Sequence, residues 1–334
     1  MKVIIPLAGF GKRMRPHTWS RAKPLLHVAG NTIIGHLLDL MADVTTEEVI
    51  FVVGYKSDEI EAWIRTHYPQ LNAHFVIQEE MLGQAHAIWM CKEFLDDDGE
   101  VLIAFGDGVV DAEYAQIPAP DVDGVILVQK MEDPRTFGVV VTDDNGYVID
   151  FIEKPETMEH KDVIAGIYWF KNGKQLRKAL EIVITENRQS KGEYYLVDAY
   201  KVMQERGAKI RTMETIFWLD AGKPDYMLHT NARLLGLGYG TEDAIEMSYA
   251  GEFTVLPPVF LHESARVENS VIGPYVSIGA DAVVKNSIIR NSIIDNGAHI
   301  EKAILEDSLI GENTEIKGTH KKLFIGDNSK VELG

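Results

Sequence analysis

Two groups of residues in this sequence are spaced for phosphate chemistry. Lys2, Lys12, Arg13, Arg15, Arg21 and Lys23 fall in a stretch with no acidic residue before Asp39, and Gly9 and Gly11 stand among them. In Leu7-Ala8-Gly9-Phe10-Gly11-Lys12-Arg13, directly after an apolar run, backbone N–H groups can close around phosphate oxygens. Lys23 precedes Pro24 and the apolar Leu25-Leu26, which fixes it better than a lone surface lysine. The segment lacks the third glycine of a dinucleotide fingerprint and the Gly-Lys-Ser/Thr ending of a P-loop, so neither common nucleotide motif applies. A glycine turn with solvated bases is the alternative. The second group is a pair of aspartates, Asp107 and Asp220, each directly after an apolar, strand-like run. That placement puts both carboxylates at the carboxyl edge of a sheet, where open α/β proteins bind ligands. Such a pair suits Mg²⁺, which takes one or two carboxylates plus phosphate oxygens and water. Taken singly, either aspartate could instead cap a turn or helix.

The elements that must carry these residues alternate. Apolar runs at Val3–Leu7, Val49–Val53, Phe75–Ile77, Val101–Phe105, Val125–Val128, Gly166–Phe170 and Ile216–Leu219 read as strands. Thr32–Met41, Ser57–His67 and Gln84–Leu95 have apolar residues at three- and four-residue spacing and read as helices, with Ser57 as a polar cap. This is the pattern of a Rossmann-like, mostly parallel sheet with helices on both faces. Near Gly236, Gly238 and Gly240 the pattern loosens. Beyond it Leu261, Val267, Ile272, Ile278, Val284, Ile289, Ile294, Ile300, Leu305, Ile310 and Ile316 recur at steps of five or six. That period fits a parallel β-helix of three to four coils, and an antiparallel meander would alternate with period two instead. The expected division is a catalytic domain over 1–240 and a hexapeptide-repeat β-helix over 241–334.

Bulk properties narrow the classes. The 334 residues are 46% hydrophobic and carry a net charge of −18, which argues against a nucleic-acid or anionic-membrane binder. With six bases before Asp39, the rest of the chain holds 27 bases against 51 acids, so a small anion is expected at the amino-terminal segment. No apolar run approaches the ~18 residues needed to span a bilayer. Cys91 is the only cysteine, which excludes an internal disulfide and fits a reducing cytoplasm. Cys91 and Trp89 read as packing residues. His262, His299 and His320, in or beside the repeats, read as surface turn residues rather than as acyl-transfer groups.

The run Ala8-Gly9-Phe10-Gly11-Lys12-Arg13-Met14-Arg15-Pro16, with Lys23-Pro24-Leu25-Leu26, resembles the A-G-x-G-T-R-[LM]-x-P and K-P-L-L signature of sugar-1-phosphate nucleotidyltransferases. Gln78-Glu79-Glu80-Met81-Leu82-Gly83-Gln84-Ala85-His86-Ala87 resembles the Q-E-x-x-L-G-x-A-H-A segment of long-form glucose-1-phosphate thymidylyltransferases. Gly106-Asp107, Glu153-Lys154-Pro155, Gly192 to Leu196, Trp218 to Gly222 and Ile325 to Glu332 follow in that family's order. The resemblance implies a Rossmann-like domain followed by a left-handed β-helix. It assigns Leu7, Ala8, Gly9, Gly11, Lys12 and Arg13 to the nucleotide, with Lys23 at the reacting phosphates and Gln78 and Gly83 at the base. Lys154 is assigned to the sugar phosphate, Glu153 and Glu193 to sugar hydroxyls, and Gly138, Gly166, Tyr168 and Trp218 to the same subsite. Asp107 and Asp220 become the Mg²⁺ ligands and, with Arg13 and Lys23, the catalytic set. The chain departs from the pattern at Lys12, His17 and His27, at Gly108 in place of a sugar-contacting asparagine, and near Lys161.

The function expected is transfer of a nucleotidyl group from dTTP to glucose 1-phosphate by in-line attack on the α-phosphate, with release of pyrophosphate. Transfer from UTP to glucose or N-acetylglucosamine 1-phosphate, or guanylyl transfer to mannose 1-phosphate, is the alternative within the class. A nucleotide-sugar sensor or scaffold without chemistry is the alternative outside it. Self-association through the β-helix is expected.

Overall fold

The computed structural model describes residues 1–189, 192–250, 252–318 and 323–332. Packing divides the chain into two units, Met1–Gly9 with Leu37–Trp218, and Phe10–His36 with Leu219–Gly334. The 240/241 division follows chain order, whereas packing places the Phe10–His36 segment in the unit that contains the repeats.

The first unit is built on nine strands: β1 (Lys2–Pro6), β2 (Glu48–Val53), β3 (Ala73–Ile77), β4 (Val101–Ala104), β5 (Gly124–Lys130), β6 (Gly138–Thr142), β7 (Val148–Glu153), β8 (Asp162–Phe170) and β9 (Ile210–Glu214). Their order is β7-β6-β8-β4-β1-β2-β3, with β5 also beside β8 and β9 beside β5. Strands β4, β1, β2 and β3 run parallel, and β8 is antiparallel to β4, β5 and β6. The buried runs Val3-Ile4-Ile5 and Val49 to Val53 make β1 and β2 apolar on both faces, as strands under helices on both sides must be. Helix Gly173–Thr185 shows how the cover forms. Asn172 caps it by accepting the Gln175 N–H at 3.0 Å, and Leu176, Ala179, Leu180 and Val183 bury one stripe in the sheet's core.

Two helix expectations change. Gln84–Leu95 is not continuous: the helix covers Gln84–Trp89, and a 3-10 turn covers Lys92–Leu95. The Cys91 N–H bonds to Ile88 three residues back, which tightens the chain there and leaves Cys91 fully buried. Ser57 is the first helical residue rather than the cap, because Lys56 before it takes a left-handed conformation and no side chain caps the end.

In the second unit, short parallel strands from Thr254 to Glu332 stack into three sheets, the arrangement of a left-handed β-helix. All eleven periodic aliphatics, from Leu261 to Ile316, are buried in one core. Corners turn at residues such as Asn269, Asn286, Asn291 and Asn313, whose positive φ is tolerated by asparagine. Stacked serines satisfy corner amides: Ser287 N–H donates to Ser270 Oγ at 3.0 Å, and Ala303 N–H to Ser287 Oγ at 3.1 Å. Two sheets have five strands, so the stack is deeper than the three to four coils expected. The aliphatic count missed the end coils, where Val255, Ile325 and Val331 are only half-buried because each end coil has a single neighbour. His262 is half-buried beside Ser264, and His299 is exposed on a strand rather than in a turn. His320 lies outside the described residues. Among the described residues, no helix is long and apolar enough to cross a membrane.

Candidate active site

In the first unit the residues expected to read the base lie beyond the carboxyl ends of β1 and β3. Leu7 and Ala8 are buried just beyond β1, with the Leu7 N–H donating to Val52 at 2.7 Å. Gln78 follows β3 and is 4% exposed. Its amide nitrogen lies 3.3 Å from the Gly83 carbonyl and 3.0 Å from His86 Nδ1. A carbonyl only accepts, so the Gln78 atom facing Gly83 is the NH₂ group, and His86 Nδ1 must accept its second hydrogen. His86 is therefore neutral, which agrees with its pKa: burial pushes it below the ordinary histidine value, against the opposing pull of Glu80.

The sugar-side residues are tied to this segment through the main chain. Tyr194 N–H donates to the Leu82 carbonyl at 2.8 Å, and Ala85 N–H donates to the Tyr194 carbonyl at 2.9 Å. Gly83, at φ 108°, sits so close that a Cβ there would lie 2.6 Å from the Tyr194 oxygen. This backbone approach places Gly83 beside Glu193, whose side chain is exposed. Gly138 and Glu153 are register partners on β6 and β7, and Lys154 Nζ lies 3.5 Å from Glu153 Oε1. Gly166, at φ 80°, forms the irregularity in β8 that lets its carbonyl accept the Phe105 N–H at 2.9 Å. Tyr168 is buried, and its phenol is pushed up first by burial and then by the charges of Glu153 and Asp107. Asp107 is exposed just beyond β4, and Trp218 packs edge-on against Phe137 at 5.2 Å.

In the second unit the bases expected to grip phosphate fall on one short stretch that begins at Gly11. Gly11, at φ 60°, accepts the Met14 N–H at 2.8 Å and the Thr18 hydroxyl at 2.9 Å. A Cβ on Gly11 would lie 3.0 Å from Lys23 Cβ, so the stem of Lys23 rests on this turn. Arg13 reaches Gly222: a Cβ there would lie 2.8 Å from Arg13 Nη2 and 2.8 Å from Asp220 Oδ1. Guanidinium and carboxylate thus converge on one glycine, and Asp220 also accepts the Gly222 N–H at 2.7 Å. Lys12 lies over the Phe10 ring, 5.5 Å from its centroid.

The six bases before Asp39 do not all face a ligand. Lys2 pairs with Asp97 at 2.6 Å, and Arg21 pairs with Glu312 and with Asp295. Two of the six bases expected to face a small anion are thus occupied by carboxylates.

Asp107, in the first unit, and Asp220, in the second, each carry hard carboxylate oxygens, the donor type that suits Mg²⁺ rather than a thiolate- or imidazole-seeking metal. No group of three or more His, Cys, Asp or Glu side chains could cage a metal among the described residues.

Residues 2–236 match the family model described as nucleotidyl transferase. The chain belongs to that family. Along 100% of its length it is 28% identical to the glucose-1-phosphate thymidylyltransferase of Streptomyces griseus, of which it covers 99%. The glucose-1-phosphate thymidylyltransferase of Streptomyces antibioticus is 29% identical over the same shares. The bifunctional protein GlmU of Methanocaldococcus jannaschii is 31% identical over 70% of this chain and 54% of its own. A Bacillus anthracis protein described as a glucose-1-phosphate thymidylyltransferase, solved with sucrose, matches with a TM-score of 0.60 over 70% of this chain and 94% of its own. At 22% identity that likeness shows the fold alone.

Sequence reasoning gave no role to His86, although it stands in the quoted motif. A buried glutamine amide needs partners, and a polar residue eight positions on was the signal. It counted Arg21 among the bases for a small anion and gave no role to His27, Asp295 or Glu312, and these four meet only in three dimensions.

Proposed function

We propose that this nucleotidyltransferase joins dTTP to glucose 1-phosphate, releasing pyrophosphate. The observation that supports it most is the convergence of Arg13 and Asp220 on Gly222, on the same loop that seats Lys23. Arg13 and Lys23 balance charge on the triphosphate, and backbone N–H groups of Gly9 and Gly11 approach its oxygens. Asp107 and Asp220 would hold Mg²⁺, which supplies charge neutralisation at the reacting phosphates when bound. Lys154 holds the sugar phosphate, and Glu153 and Glu193 accept from sugar hydroxyls. No covalent nucleophile is required, because positioning and charge supply the rate.

The Gln78 geometry supports the choice of base. With both hydrogens of its amide nitrogen used by Gly83 and His86, the function Gln78 has left to offer is an acceptor. An acceptor suits the N3–H of thymine or uracil and not the N3 lone pair of cytosine.

Pyrophosphate release across four nucleoside triphosphates, with glucose, mannose, galactose and N-acetylglucosamine 1-phosphates and Mg²⁺, tests the proposal. The dTTP and glucose 1-phosphate pair is expected to give the highest kcat/KM. A different best pair changes the substrates, and release with none would make the chain a nucleotide-sugar sensor. Asp107→Asn is expected to stay folded and lose at least tenfold in turnover, about 1.4 kcal/mol of barrier.

A further inference from the structure

The β-helix reaches the phosphate-gripping segment through buried charge. Arg21, two residues before Lys23, donates from Nη2 to Glu312 and lies with Nη1 3.6 Å from Asp295 Oδ2. His27, four residues after Lys23, has Nδ1 2.8 Å from Asp295 Oδ1. The Ser20 hydroxyl donates to Asp327, and Gly326 sits so close to Pro16 that a Cβ there would lie 3.0 Å from the proline Cβ. Asp295, Glu312 and Asp327 belong to successive coils, because Glu312 N–H donates to Asp327 at 2.7 Å and Asp295 precedes Asn296, whose side chain accepts from Ala280.

Asp295 is 8% exposed. A carboxylate that deep is retained only with partners, and removing a partner leaves uncompensated charge. Burial alone would raise its pKa, yet the His27 hydrogen bond and charge, with Arg21, hold it below the ordinary carboxylate range. The ionised Asp295 therefore faces Arg21 and His27, which stand on either side of Lys23. His17, also on this segment, is 3% exposed and lines the same small cavity with Arg21, His27, Asp295 and Asp327.

We propose that Asp295 and Glu312 are positioning residues for nucleotidyl transfer: through Arg21 and His27 they hold the Phe10–Leu26 segment in the conformation in which Arg13 and Lys23 grip the triphosphate. The β-helix is then part of the catalytic apparatus rather than an appendage. The inference rests on the nucleotidyltransferase reading, and it adds a role that the repeats alone do not suggest.

The full-length chain is compared with Arg21→Met, Arg21→Lys and Asp295→Asn, and with Glu301→Gln as a control. Glu301 pairs only with Lys302 and Lys317 among the ion pairs of the described residues. Each variant is measured for kcat, for KM of both substrates, for thermal unfolding, and for deuterium uptake over Phe10–Leu26. Arg21→Met is expected to raise KM for the triphosphate at least tenfold and to lower kcat, while KM for the sugar phosphate stays within twofold. Exchange is expected to rise over Phe10–Leu26 and not over the first unit's sheet. Arg21→Lys, which keeps the charge, recovers most of the loss, and Glu301→Gln changes nothing. If Arg21→Met does not fold, Arg21→Lys and Asp295→Asn carry the same comparison. Equal rises in both KM values, or unchanged exchange over Phe10–Leu26, overturn the proposal. If the wild-type chain releases no pyrophosphate with any pair, the functional reading falls, while the exchange measurement still decides whether the carboxylates order the segment.

Discussion

The segment around Gln78, Gly83 and Glu193 in the first unit and the segment around Arg13 and Lys23 in the second are held in place by different forces. In the first unit, Gln78, Gly83 and Glu193 are fixed by main-chain hydrogen bonds between Leu82, Ala85 and Tyr194 and by backbone resting on backbone. In the second, the segment with Arg13 and Lys23 is fixed by side-chain charge, Arg21 and His27 against Asp295 and Glu312. Backbone contacts are short, neutral and indifferent to pH and salt. Charge pairs reach further and fail when a partner is removed or neutralised. Changes of shape should therefore tell most on the first segment, and removal of a charge partner most on the second.

The largest expected effect strikes the backbone-held half. In Gly83→Ala the new Cβ would lie 2.6 Å from the Tyr194 oxygen and 2.7 Å from its nitrogen, at a φ of 108° that alanine rarely adopts. Neither atom is a flexible side-chain end, so the strain cannot be relieved locally. A stability loss of about 2–4 kcal/mol is expected, with KM for the triphosphate rising more than tenfold. Thermal unfolding and steady-state kinetics check this, and an unchanged midpoint would show that the two segments are not locked together.

Gly222→Ala applies the same insertion to the charge-held half. Its Cβ would meet Arg13 Nη2 and Asp220 Oδ1, each at 2.8 Å, and both are side-chain ends that can move. Folding should survive, while turnover falls about tenfold, or 1.4 kcal/mol, because guanidinium and carboxylate are pushed from their common point. A variant as unstable as Gly83→Ala would erase the distinction between the halves.

The same division explains what could be read in advance. Val3-Ile4-Ile5 and the aliphatics from Leu261 to Ile316 announce their elements because repeated inward-facing positions leave a period in the sequence. Gly11, Arg13 and Lys23 stand out in the sequence as candidates for phosphate because they lie within one short segment. Arg21 and Glu312, which are 291 residues apart, leave no periodic trace, since an ion pair needs only two residues whose backbones the fold brings together. The break at Cys91 was equally hidden, because Phe94 and Leu95 keep helical spacing even though a tighter turn presents them.

A smaller effect is expected at His86, where the backbone-held half depends on one neutral imidazole. His86→Phe removes the acceptor for Gln78 and should raise KM for dTTP about threefold to tenfold, in line with roughly 0.5–1.5 kcal/mol for one hydrogen bond. Protonation has the same consequence. Because burial depresses the His86 pKa, the folded protein keeps the ring neutral below the ordinary value near 6.5. KM for dTTP should therefore stay flat from pH 8 to about 6.5 and rise only at more acid pH, where Glu80 and the Trp89 ring, 6.0 Å away, face a charged imidazole. A rise already complete at pH 7 would mean that the amide is held some other way.

The smallest effect separates the halves by acid alone. Asp295 has a folded pKa below its unfolded value, so its contribution to stability is fully present above the unfolded carboxylate pKa, about 3.9, and disappears as pH falls through the depressed folded value. Asp295→Asn never has that contribution. The difference in unfolding midpoint between wild type and Asp295→Asn should thus be constant from pH 7 to about pH 4 and close below it. Gly83→Ala removes no carboxylate, so its difference from wild type should not close below about pH 4. If both differences closed together in acid, the two segments would be held by the same charges. If neither did, Asp295 would be buried without the matched cations that its depressed pKa requires.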